Sequence, residues 1–161
     1  MQDIQQVAEQ LACQLGLHPN RRKLMLNEFE EYIKGNFSDD YWYDDALFLC
    51  EDFLKHFSDL EWTLLISKMQ NYDIQSQVRL AECLADVNNK YSVKILIILT
   101  QTENSNLLIT CIDSLRDANF SLLTVEEKHN VSINAKKVLI SCSEMEKKVI
   151  RNFLNKIQSS Q

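Results

Sequence analysis

Apolar residues return every three or four positions along nearly the whole chain, and short polar corners interrupt them. That spacing predicts helices throughout. Ile4, Val7, Ala8, Leu11, Ala12 and Leu15 form one stripe behind a capping Asp3, and Gly16 closes it. Leu24, Leu26, Phe29 and Ile33 predict a second helix after His18-Pro19, ended by Gly35. A third follows Ser38-Asp39 and runs to about Phe57. Ser58 with Glu61 is a capping box, in which each residue satisfies a backbone N–H of the other. It opens a fourth helix holding Leu60, Leu64, Leu65 and Met69. Asp73 caps a fifth, with Val78, Ala81, Leu84 and Ala85 on one face. A later helix carries Leu108, Cys111, Ile112 and Leu115. Thr124 with Glu127, and Ser143 with Glu146, are two more capping boxes. The first opens a helix reaching about Ile140, with a break expected near Asn130. The second opens a helix with Val149, Ile150, Phe153, Leu154 and Ile157 inward, and residues 158–161 are expected to fray.

One segment is ambiguous. "YSVKILIILTQ", from Tyr91, is rich in β-branched residues that suit a buried strand. A lone strand among helices would leave its backbone groups unpaired, so the segment is read as a central helix, apolar nearly all round.

The chain also repeats itself. "LADVN" at Leu84–Asn88 returns as "LRDAN" at Leu115–Asn119, 31 residues on, each time closing the second helix of a pair. The implied pairs are 59–87, 90–118 and 125–157, with a longer first pair over 20–57 and a cap helix at 1–16. Helix pairs at this period predict an all-α fold, an α-solenoid of about eight helices in one domain, 1–161. The run "YDIQSQVRLAECLADVN" resembles the second helix of a HEAT-like repeat: Asp73 at the corner, then Val78-Arg79, Ala81 and Leu84. The resemblance covers 60–119, and the second copy departs from it with Ile109-Thr110 in place of Val-Arg. Arg79 is read either as solvated or as a corner partner of Asp73 or Asp86.

Composition narrows the chemistry. Two glycines and one proline in 161 residues cannot build a Gly-rich phosphate loop, nor the turns of a β-sandwich. His18, His56 and His129 stand at no ligand spacing from a cysteine, and no nucleophile motif is present. Cys13, Cys50, Cys83, Cys111 and Cys142 fall within or at the ends of helices and read as small core hydrophobes in a reducing compartment. A Cys50–His56 pair is the one nucleophile worth weighing, and a buried thiol beside a surface histidine is the plainer reading. The expectation is a cytoplasmic protein that is not an enzyme and takes no cofactor or metal. The net charge of −6 opposes direct binding to nucleic acid or an anionic membrane.

That charge is concentrated. Between Glu28 and Glu61 stand eleven carboxylates against Lys34 and Lys55, a net −9 that leaves +3 for the rest of the chain. Within the window, "DDYWYDDALFLCEDFLKHF" projects at about 100° per residue. Trp42, Tyr43, Ala46, Leu47, Leu49, Cys50, Phe53, Leu54 and Phe57 gather on a core face. Asp44, Asp45, Glu51, Asp52 and Lys55 stand opposite, with Tyr41 and Phe48 among them. The bland reading is a solvated acidic face whose aromatics a neighbour covers. The functional one is an interface, with Asp39, Asp40, Asp44, Asp45, Glu51 and Asp52 steering a basic partner and Tyr41 and Phe48 as apolar anchors.

A small, acidic, metal-free helical chain of this kind resembles the bacterial immunity proteins of contact-dependent growth inhibition. The resemblance implies a monomer when free that binds and occludes a cognate basic toxin, expected to be a nuclease domain. A HEAT-like adaptor or scaffold module that binds another protein is the alternative, and an enzyme using the concave groove that the second helices of the pairs, the acidic one included, are expected to line is a third reading without an acid–base set to support it.

Overall fold

The computed structural model describes residues 25–160. The expected cap helix over 1–16, with Cys13, lies outside them, as does Leu24. Among the described residues there is no strand, and the fold is all-α. Helix α1 is Met25–Ile33. Helix α2 joins three consecutive segments: the short α-turn Asp39–Tyr41, the π-helical Trp42–Ala46 and the α-helix Leu47–Lys55. Helix α3 is Asp59–Lys68, followed by a 3-10 turn at Met69–Asn71. Then come α4 (Ile74–Leu84), α5 (Lys90–Leu99) and α6 (Ser105–Ser114). A 3-10 turn at Phe120–Leu122 precedes α7 (Val125–Val138) and α8 (Glu144–Ser159). The ambiguous segment is α5, with Val93, Ile95, Leu96, Ile97 and Leu99 all buried.

The helices start where side chains satisfy their orphan N–H groups. Ser58, Thr124 and Ser143 form the three expected capping boxes, and Asp73 caps α4 through Ser76. A fourth box was not anticipated: Asn89 accepts from Tyr91 N and Ser92 N, while the Ser92 hydroxyl oxygen accepts from Asn89 N at 2.9 Å. Glu61 does more than close its box. Its second oxygen accepts the Leu26 N–H at 3.2 Å and so ties the start of α3 to α1. One expectation near the C-terminal end is corrected: helix α7 runs unbroken past Asn130. Helix α8 extends to Ser159, with Ile157 buried and the Lys128 ammonium donating to the Ser160 carbonyl at 2.8 Å.

The repeated pentapeptide makes the same corner twice. Ala85 N donates to Glu82 O and Val87 N to Leu84 O; 31 residues later Arg116 N donates to Asp113 O and Ala118 N to Leu115 O. The copies part at the final asparagine. Asn88 adopts φ 40°, a left-handed conformation that asparagine tolerates, whereas Asn119 has φ −80° and accepts from Ser121 N.

Helices α2, α4, α6 and α8 pack in succession, with the most extensive contact between α4 and α6. Helix α1 packs on α2, α5 on both α4 and α6, and α7 on both α6 and α8. Rings join the other helices: Phe29 meets Phe57 edge-on, Phe57 meets Trp62, and Trp62 stacks on Tyr91 with centroids 5.6 Å apart. Arg79 fits neither reading taken from sequence. It is buried, donates to the Ile33 and Gly35 carbonyls beyond α1, and lies over the rings of Phe37 and Trp42. The C-terminal end of a helix is a favourable place for a cation, and ring faces add to that attraction.

Candidate functional site

Helix α2 positions the predicted surface. Its buried apolar positions are Trp42, Ala46, Cys50 and Leu54, spaced by four. At about 100° per residue such a row drifts about 40° per step. The π segment at Trp42–Ala46 has a wider turn, which offsets part of the drift and keeps the four side chains on one wall. The uniform projection fails at Tyr43 for that reason, whereas Leu49 and Glu51 flank Cys50 within ordinary helix and are sorted by the side on which α4 packs. Tyr43 and Leu49, expected in the core, are 55% and 44% exposed. Glu51, expected on the open face with the other acids, is only 6% exposed.

The rest of the predicted set shares the outer face. Asp39, Asp40, Asp44, Asp45 and Asp52 are exposed, Tyr41 is 45% exposed and Phe48 63%. A large apolar ring this open, between carboxylates, is the informative kind of exposure. Tyr41 leans on Phe37 at 5.4 Å, so one side of its ring is covered. Ser38 fixes the start of this face by accepting from Tyr41 N.

Glu51 belongs to the seam between α2 and α4. Burial raises its pKa, the nearby Asp86 carboxylate raises it further, and Lys55 at 3.9 Å opposes both. Above it, Glu82 of α4 accepts the Trp42 indole N–H at 2.7 Å and the Tyr43 hydroxyl at 2.9 Å, locking the N-terminal half of α2 to α4. Burial and the bond to Glu82 push the Tyr43 phenol up.

The pairing leads one to expect a surface shared by the second helices; a groove of about 540 Å³ crosses α2, α4, α6 and α8, lined by residues that sequence reasoning did not single out. Tyr43 and Leu47 of α2 open it, and Met145, Glu146 and Val149 of α8 close it. Between them lie Glu82 and Ala85 of α4 and Ile109, Asp113 and Arg116 of α6. The repeat generated this lining: Glu82 and Asp113 are 31 residues apart, and so are Ala85 and Arg116. The signal for the groove was therefore present in the repeat. From each α2 residue in the groove, one step of about 100° reaches the exposed Asp44 or Phe48. Of the acids here, Asp113 pairs with Arg116. The Ser143 hydroxyl and N–H hold the Glu146 carboxyl below its usual range.

Other candidate chemistry does not assemble. Cys50, Cys83 and Cys111 are buried and unbridged, and burial pushes the Cys111 thiol well up. The His56 ring meets the Asp52 carbonyl at 2.8 Å. Among the described residues no group of three or more His, Cys, Asp or Glu is placed to hold a metal, and no helix is long and apolar enough to cross a membrane. No protein-family model matches the chain, and neither does any curated protein or solved structure.

Proposed function

We propose that this protein is an immunity-type inhibitor that binds and occludes a basic toxin domain, with a nuclease as the favoured target. The exposed face of α2 makes the contact. The observation that carries the reading is Phe48, largely open to solvent with Asp44, Asp45 and Asp52 exposed around it. Carboxylates at this density speed encounter with a cationic partner, and a desolvated aromatic holds it once docked. A nuclease groove is cationic because it must attract phosphates, so a cover that exposes Asp39, Asp40, Asp44, Asp45 and Asp52 on one helix competes directly with substrate.

The fold proposed with this function is a HEAT-like α-solenoid of four stacked hairpins, α1–α2 to α7–α8, acting in the cytoplasm as a monomer when free. The succession of α2, α4, α6 and α8 and the twice-made corner support it. A non-enzymatic adaptor module is the second reading, favoured by a groove that spans four helices.

The test is neutralisation. Cells expressing a candidate basic toxin nuclease domain are expected to survive when the unmodified protein is co-expressed with its cognate toxin. Protection fails with the triple variant Asp44→Lys, Asp45→Lys, Phe48→Ala at an unchanged melting temperature. Full protection by that variant would reject this surface.

A further inference from the structure

We infer that the groove across α2, α4, α6 and α8 seats an amphipathic helix of the partner, with its apolar stripe on the groove floor and lysines or arginines along one flank. The inference rests on the protein-binding reading above and gives the partner a shape. It starts from the groove's chemistry. Leu47, Ile109 and Val149 are half-buried hydrophobic side chains on three different helices, and the flexible Met145 stands 80% exposed at the far rim. A thioether that mobile adapts to whatever packs on it.

The walls decide between a helical and an extended occupant. Most of the lining lies within helices, whose backbone N–H and C=O groups are spent on their own turns. An extended segment laid there would lose water from its backbone and find no replacement partners. A helix satisfies its own backbone and needs only side-chain contacts.

Charge sets the occupant's sign and spacing. Glu82 of α4 and Glu146 of α8 carry the uncompensated charge of the lining. Between them, Asp113 of α6 is neutralised by its pair with Arg116. Adjacent packed helices lie about 8–10 Å apart. Three turns of an α-helix advance about 16 Å. Two basic residues about eleven positions apart on one face therefore reach the two acids, and about 18 residues cross the whole groove.

The probe is a fluorescent 18-residue peptide with leucines on one stripe and lysines at positions i and i+11 of the flank. Two comparison peptides carry glutamates for the lysines, or the same residues in an order that destroys the stripe. The full chain is expected to bind the first at least tenfold more tightly than either comparison. Met145→Lys is expected to weaken that binding at least tenfold, since a residue so exposed changes without disturbing the fold. Ile109→Lys is expected to do the same, with its melting curve recorded, and Glu103→Lys in the α5–α6 loop is the matched charge change away from the groove. Equal affinity for the three peptides, or an unchanged affinity in Met145→Lys, overturns the inference. Neutralisation by the Met145→Lys protein separates the two readings. Retained protection leaves the α2 face as the binding surface with the groove empty, whereas a failing α2 variant speaks to the first reading alone.

Discussion

The guanidinium of Arg79 lies 4.8 Å from the ring of Trp42, and the same side chain donates to the Ile33 and Gly35 carbonyls at 3.1 and 2.6 Å. One residue of α4 thus closes the end of α1 and supports the first turn of α2's π segment. Arg79→Met removes two charge-assisted hydrogen bonds and two ring contacts, and leaves buried carbonyls unsatisfied. The expected loss is about 3 kcal/mol or more, read from urea unfolding. Arg79→Lys restores the charge without the planar fork and is expected to recover less than half of that loss.

Phe48 and Phe29 make opposite predictions from the same residue type. Phe29 is fully buried between Phe53 and Phe57. Phe29→Ala is expected to cost about 3–5 kcal/mol. Phe48→Ala is expected to shift stability by less than about 0.5 kcal/mol while weakening partner binding more than tenfold. Thermal melts beside a binding titration separate the two.

Asp73 carries a pH signature of one sign. Its bonds from the Ser76 hydroxyl and N–H hold its carboxyl below the ordinary value in the folded chain. Its stabilisation is therefore present above the ordinary carboxylate range and lost as pH falls through the lowered value. Asp73→Ala is expected to cost about 1 kcal/mol at pH 7. The deficit should shrink below about pH 4, measured by unfolding across pH.

Glu51 carries the opposite sign. Burial, then Asp86, raises its pKa above the ordinary value, so the folded chain favours the protonated form. Stability is highest below the ordinary value, falls as pH rises through the raised one, and stays reduced beyond it. Glu51→Gln is expected to melt higher than the parent at pH 7 and level with it below about pH 4. A lower melting temperature at pH 7 would show that the contact with Lys55 outweighs the repulsion.

Much of the fold could be read locally. A capping box is a rule about four consecutive residues, and the three singled out from the sequence, at Ser58, Thr124 and Ser143, open helices where expected. Asn89 escaped because its reciprocal partner is Ser92 instead of a glutamate or glutamine. The destination of Arg79 was not legible, since its partners lie 44 and 46 positions away. The acidic face was legible for Asp39, Asp40, Tyr41, Asp44, Asp45, Phe48 and Asp52, all exposed. Glu51 was misplaced because a helical projection does not say which flank of the Cys50–Leu54 row the next helix covers, and the α4 side, with Asp86 just beyond that helix, is the flank that holds Glu51. A surface shared by the second helices follows from the pairing, but the groove's lining does not, since four helices each contribute only a few residues.

The π segment lets α2 hold about one residue more than an ordinary helix would over the same turn. Excising one position from Trp42–Ala46 would tighten that stretch into ordinary helix and leave Phe48 and Asp52 on nearly their present bearing. A residue lost from a stretch of ordinary helix has no such slack, and everything beyond it swings by about 100° about the axis. The wide turn is therefore the place where α2 can shed a codon and still aim the display that the carboxylates and the ring provide.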